Sequence, residues 1–263
     1  MLEKIFKKMC EIRYFEENLI EFYKAGKIHV PVYLSYGQEA VAATISELCP
    51  NFMLFPQHRG HSWYLAYGGS PEKLRDEVLG LPTGCSYGRG GSSDIQCDSM
   101  EAHHGFIGEN VSVATGYALG SKKNTMAVFG DGAAEEDYVL ASLGFAARNG
   151  LQIMFMCEDN DLAILTEIPV RRYWDTVEVA KSFGLNGISI LNDDPETIMK
   201  EMEGLVLPAY VNIKTCRHKW HVGIGTDYKE QPRDRLALLR KKVRNASKIE
   251  SEARQRMEEI WKS

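Results

Sequence analysis

Two oxygen-bearing side chains stand where a metal would find them. Asp131 sits between Gly130 and Gly132, directly after the apolar run Met126–Phe129. Asn160 closes a second run, Gln152–Cys157, by way of Glu158 and Asp159. The stretch between them carries Val139, Leu140, Leu143, Ala146 and Ala147 at helical spacing. Strand, sharp turn, helix, strand is a βαβ unit, whose ligands lie beyond the carboxyl ends of the strands. Both residues fall there. A bare helix start attracts anions, yet Asp131, Glu135, Glu136 and Asp137 crowd this one and would repel a naked diphosphate. One hard cation resolves the conflict, since magnesium takes an octahedron of carboxylate, water and phosphate oxygens. Glu135, Glu136 and Asp137 read more simply as helix-capping residues. Asp131, held between two glycines, reads as the ligand.

With these residues set out, Gly130-Asp131-Gly132 followed by Asn160 resembles the thiamine diphosphate motif, and GDGAA (130–134) and CEDN (157–160) are similar to the GDGAA and CENN of one family within that superfamily. Within that superfamily the chain is similar to the alpha subunit of the decarboxylating component of 2-oxo acid dehydrogenase complexes, from about Tyr33 to His221. The resemblance implies thiamine diphosphate and Mg2+ as cofactors. Asp131, Asn160 and the Leu162 carbonyl would hold the metal, and Gly130, Gly132 and Ala133 would border the cofactor. HRGH (58–61) is similar to the family's YRAHG, which puts His58 and Arg59 on the diphosphate and His61 at the reaction centre. An Arg on a strand-end loop suits a diphosphate through its fork of donors. CRHKWH (216–221) is similar to YRYHGH and implies a diphosphate contact for Arg217 and a catalytic part for His221. HHGFIG (103–108) stands where the family has GNGIVG, which would lay the backbone of Gly105 and Ile107 against the cofactor. His103 and His104 have no counterpart there and are expected at the surface. The dense glycines of 84–92 match the family's GCAKGKGGS; such a loop permits close backbone approach but names no chemistry. Tyr33 stands where pyruvate-specific members carry an active-site His. Arg171, Arg172 and Tyr173 are expected near the entrance of the site, with no role assigned.

The elements that must position these groups follow from periodicity. Ile5, Met9, Ile12, Phe15, Leu19 and Phe22 mark an amphipathic helix over residues 2–25. A second helix opens at Gly37-Gln38-Glu39-Ala40, and a strand is expected over Phe52–Phe55. Another helix is expected over 110–119, two short helices around a strand over 176–204, and a last strand over 208–215. The fold class is α/β: a thiamine diphosphate-binding fold with a doubly wound, mainly parallel sheet flanked by helices. Residues 1–225 read as the domain for the diphosphate and Mg2+ half, and 226–263 as a helical C-terminal tail that packs on a partner.

A chain of 263 residues with 44% apolar and 25% charged residues is ordinary for a globular protein. A net charge of −5 gives no reason to expect nucleic acid, and no apolar run reaches the length of a membrane span. Six cysteines without metal-ligand spacing read as free thiols in a reducing cytoplasm.

The resemblance also implies a partner. A carboxylate must touch the aminopyrimidine ring of the cofactor, and in two-subunit members that Glu belongs to a beta subunit. The expected assembly is an alpha2beta2 heterotetramer, inactive without beta. Its substrate would be a 2-oxo acid, decarboxylated through the cofactor's electron sink, with the acyl group passed to a lipoyl-bearing acyltransferase. Two alternatives stay open: a split transketolase-like or acetoin-type carboligase/lyase subunit acting on a ketose or hydroxyketone, and a non-catalytic scaffold.

Overall fold

A computed structural model describes residues 1–226 and 232–263; residues 227–231 of the expected tail lie outside the described residues. In chain order the helices are α1 (Leu2–Lys24), α2 (Glu39–Leu48), α3 (His61–Ala66), α4 (Pro71–Val78), α5 (Glu109–Ser121), α6 (Asp137–Asn149), α7 (Ile168–Arg171), α8 (Thr176–Ser182), α9 (Pro195–Glu201), α10 (Arg235–Arg240) and α11 (Ala246–Lys262). The strands are β1 (Met53–Pro56), β2 (Thr125–Gly130), β3 (Ile153–Asp159), β4 (Leu162–Ala163), β5 (Thr166–Glu167), β6 (Asn186–Ile190) and β7 (Ala209–Lys214). They divide into two compact units, one of residues 51–58 and 99–215, the other of residues 1–50, 59–98 and 216–263.

The first unit is the expected parallel sheet flanked by helices. Its strand order is β1-β2-β3-β7-β6, every neighbouring pair parallel. All seven residues of β3 are buried, which is why the sequence there is a continuous apolar run rather than an alternating one. Phe129, Phe155 and Tyr210 from the strands pack with Val111 and Ala114 of α5, Val139 and Leu143 of α6, and Val177 of α8. Helix boundaries follow local chemistry. Asp175 caps α8 by accepting from the amides of Val177 and Glu178 at 2.8 and 3.0 Å. Gly150 ends α6 at φ 57°, a left-handed conformation that glycine adopts without strain. The register aligns Gly130 of β2 with Glu158 of β3, so Asp131 and Asn160 leave the sheet on neighbouring strands.

The second unit is helical. The predicted stripe of α1 is buried, with Ile5, Met9, Ile12, Phe15 and Leu19 all inaccessible to solvent. The C-terminal helix α11 covers it. Trp261 packs at a tilt against Phe15 and Phe22, at centroid distances of 5.2 and 4.8 Å, and Arg256 pairs with Glu11 at 2.8 Å. The tail thus packs one face within the chain, with Leu236, Leu239, Val243 and Ile260 also buried. Among the described residues no helix is long and apolar enough to cross a membrane.

Candidate active site

The acids after β2 are held by two arginines. Asp131, 1% exposed, accepts from the Arg171 guanidinium through Oδ2, and its backbone carbonyl accepts from Arg172 Nη1 at 2.8 Å. Glu135 Oε1 accepts from both arginines. The arginines reach back because the chain after Asn160 folds into a two-strand hairpin, Leu162 paired with Glu167 and Ala163 with Thr166, followed by α7. Gly132 permits that approach, since a Cβ there would lie 2.8 Å from Ala163 Cβ. At Gly130 a Cβ would meet nothing within 4 Å; the strand end opens onto space. Ala133, by contrast, is buried in the core.

These contacts correct part of the sequence reading. Residues 133–135 form a short 3-10 turn and α6 begins only at Asp137. Glu135 is thus an ion-pair partner, not a helix cap. Glu136 stands at the cap position without a side-chain hydrogen bond, and Asp137 Oδ1 accepts from the Tyr138 amide at 2.7 Å.

Burial pushes the Asp131 carboxyl above its ordinary range, and the neighbouring Asp159 adds to that; Arg171 and Arg172 oppose both. A buried carboxylate beside a second acid calls for a cation, and Arg171 supplies it here. Asp159 is itself anchored by Lys214 at 3.0 Å and Asn212 at 3.1 Å. Asn160 Oδ1 accepts from the Leu162 amide at 3.2 Å, and Asp161 adopts φ 70° in the same turn. Among the described residues no three His, Cys, Asp or Glu side chains cluster as a metal site. A metal here would instead use the Asp131 carboxylate, the Asn160 amide oxygen and a backbone carbonyl. That hard donor set fits Mg2+ with phosphate oxygens completing the shell, provided Arg171 withdraws.

On the same unit, His58 at the end of β1 takes a 3.1 Å hydrogen bond at Nδ1 from Gln57 Nε2, which places its ring proton on Nε2. Gln57 Oε1 accepts from the Gly108 amide at 3.3 Å. His103, expected at the surface, is 2% exposed with Nε2 3.1 Å from the Gln57 carbonyl; it braces this loop from inside. His104 is half-buried near Glu109, 3.6 Å away. Gly105 and Ile107 are exposed, and the Ile107 carbonyl accepts from the Tyr138 hydroxyl.

The helical unit carries the remaining candidates. Arg59, buried, donates to the Leu34 carbonyl at 2.6 Å and to the His221 carbonyl at 3.2 Å. Arg217 is 5% exposed. The half-buried His221 ring meets the Tyr33 ring edge-to-face, with centroids 5.7 Å apart. His61 is wholly buried, with Nε2 2.9 Å from Ser92 Oγ and Nδ1 3.4 Å from Glu16 Oε1, contacts that hold its ring in place. Arg171 and Arg172, expected near the site without a role, are the partners of Asp131 and Glu135, whereas Glu16 and Ser92 were not singled out from the sequence. Glu16 carried a signal: it falls on the apolar stripe of α1, four residues after Ile12 and three before Leu19.

A family model described as "Dehydrogenase E1 component" matches residues 7–202. The chain is 28% identical over 234 residues to the pyruvate dehydrogenase E1 component subunit alpha of Rickettsia bellii (strain RML369-C), covering 83% of this chain and 72% of the relative. To the subunit of the same name from Rhizobium meliloti (strain 1021) it is 29% identical over 255 residues, covering 90% and 72%. Among solved structures, a transketolase mutant from Pichia stipitis superposes with a TM-score of 0.64 at 14% identity, over 100% of this chain and 47% of that one. A transketolase from Campylobacter jejuni gives 0.64 and 14%, over 97% and 48%. The chain spans about half the length of these transketolases, and at that identity the likeness carries the fold alone.

Proposed function

The chain belongs to the dehydrogenase E1 component family, and on that premise we propose that it is the alpha subunit of a thiamine diphosphate- and Mg2+-dependent enzyme that decarboxylates a 2-oxo acid. The observation that carries the reading is Asp131, a buried carboxylate at the end of β2 whose demand for a cation is met by a guanidinium. Thiamine diphosphate supplies the electron sink that lets a carboxylate leave as carbon dioxide.

The chain's own residues bind, orient and handle protons. Asp131, Asn160 and the Leu162 carbonyl hold the cation, and Gly130, Gly132 and Ala133 form the turn beside it. Arg59 and Arg217 grip the diphosphate, for which a fork of fixed donors is suited, and His58 donates through Nε2. Gly105 and Ile107 border the cofactor through their backbone. His221, half-buried beside Tyr33, holds and moves the proton at the reacting carbonyl oxygen. His61, its ring held by Ser92, is the second residue assigned to proton handling.

The subunit pairs with a beta subunit, as the name of its relatives implies. We propose an alpha2beta2 assembly in which the beta chain supplies the pyrimidine-side Glu, and a lipoyl-bearing acyltransferase as acceptor. Six free cysteines support a reducing, cytoplasmic location. The reading is tested in the complex of both chains by thermal stabilisation on adding Mg2+ and thiamine diphosphate. Wild type should gain several degrees, and Asp131→Ala or Asn160→Ala should gain none. An unchanged gain in both variants would remove the metal assignment.

A further inference from the structure

The glycine-dense loop over 84–92 is wrapped around a carboxylate. Glu77, on the last turn of α4, is wholly buried. Its Oε2 accepts from the amides of Ser86 and Gly88 at 2.6 and 2.9 Å. Its Oε1 accepts from those of Gly90 and Gly91 at 2.7 and 3.2 Å. The glycines allow the wrap. A Cβ at Gly84 would overlap Glu77 Oε2, one at Gly90 would overlap the Asp94 carbonyl, and Gly88 adopts φ 72°. These amides point inward at Glu77, so they serve the fold of the loop and not an external anion.

The residue after Gly91 connects this loop to two others. Ser92, 1% exposed, accepts from the Tyr33 amide at 2.9 Å and lies 2.9 Å from His61 Nε2. Ser92 Oγ thus joins the Tyr33 amide to the His61 ring, whose other nitrogen, Nδ1, lies 3.4 Å from Glu16 Oε1. The segment 33–35 is thereby held by side chains: Ser92 at the Tyr33 amide, Arg59 at the Leu34 carbonyl, and Glu16 at the Ser35 amide, 2.6 Å away. The Tyr33 ring then meets His221 edge-to-face.

We propose that Glu77 is a positioning residue that, through Ser92, fixes Tyr33 against His221 and so sets which 2-oxo acid side chains the enzyme accepts. The last step rests on the reading of His221 given under the proposed function. Glu77→Gln keeps the shape of the side chain but turns one acceptor into a donor facing two amide donors, so the loop must open on that side.

The test uses the assembled complex of both chains. Hydrogen exchange at the Tyr33 amide, resolved by fragmentation, should quicken at least tenfold in Glu77→Gln and in Ser92→Ala. The double variant should exchange no faster than the faster single, because both act on one link. Ser92→Thr, which keeps a hydroxyl, should retain protection, and peptides from β2 and β3 should not change. The ratio of kcat/KM for pyruvate to that for 3-methyl-2-oxobutanoate should shift at least threefold in both single variants and by the same factor in the double. A ratio cancels any loss of active enzyme, so mere destabilisation does not move it. Unchanged Tyr33 exchange in folded Glu77→Gln, additive effects in the double variant, or an unchanged ratio despite faster exchange would each overturn the proposal. If Glu77→Gln does not fold, Ser92→Ala against Ser92→Thr decides it by the same two readouts. A wild-type complex that decarboxylates neither acid contradicts the proposed function instead, and the exchange measurement still decides whether Glu77 positions Tyr33.

Discussion

Removing the Arg171 guanidinium should tighten cation binding. Asp131 is 1% exposed and its Oδ2 is occupied by Arg171, which shares its other nitrogen with Glu135. A divalent ion that takes Asp131 Oδ2 displaces the first of these contacts. A hydrogen bond to a charged group contributes about 1.5–3 kcal/mol, so prior removal should raise apparent affinity by roughly ten- to a hundredfold, at about 1.4 kcal/mol per tenfold. Arg171→Gln in the complex with its beta chain, titrated with Mn2+ in the presence of thiamine diphosphate, measures this by calorimetry. The same variant without cation should lose stability by a comparable amount, because Asp131 is then buried with less compensation. Arg172→Gln is the control: Arg172 touches Asp131 only at its backbone carbonyl and should change affinity little. Equal or weaker Mn2+ affinity in folded Arg171→Gln would refute the competition and make Arg171 a support of the site.

Other expectations concern the helical unit and the hairpin. Arg59→Lys or Arg217→Lys should weaken thiamine diphosphate binding by about 1–3 kcal/mol through loss of the fork, read as cofactor Kd; wild-type affinity in both would count against diphosphate contact. Burial raises the Glu16 carboxyl, with His61 partly opposing. The folded state then binds more protons than the unfolded state, so stability from this group falls as pH rises above the ordinary carboxylate value of about 4.3. Glu16→Gln should accordingly gain in Tm relative to wild type as pH rises above about 4.3, and a constant difference would contradict the assigned burial cost. Gly132→Ala should lower Tm, since its Cβ would crowd Ala163 Cβ at 2.8 Å at a cost of about 1–3 kcal/mol; an unchanged Tm would show that the hairpin yields freely.

The sheet unit was legible because β3 is fully buried and β2 buried up to Gly130, so both write themselves as unbroken apolar runs whose ends the register sets side by side. The α1 stripe was legible for the same reason at helical spacing. What the sequence hid is pairing over long separation. Nothing local says that Arg171 reaches Asp131 and Glu135, 40 and 36 residues away. Nor does a run of glycines say that it encloses Glu77, or His61 that its neighbours are Glu16 and Ser92 rather than solvent. Short helices α3 and α4 also went unread, being too brief to show a period. The expected surface place of His103 failed because its partner is a backbone carbonyl, which leaves no mark in side-chain spacing.

The central claim, that this chain is one half of a two-chain thiamine diphosphate enzyme, is tested most directly by titration. A fixed amount of the chain, with Mg2+ and thiamine diphosphate in excess, is mixed with increasing beta chain while carbon dioxide release from a 2-oxo acid is followed. No turnover is expected without the beta chain, and a plateau at one beta per alpha. Turnover by this chain alone at the rate of the mixture would contradict the central claim.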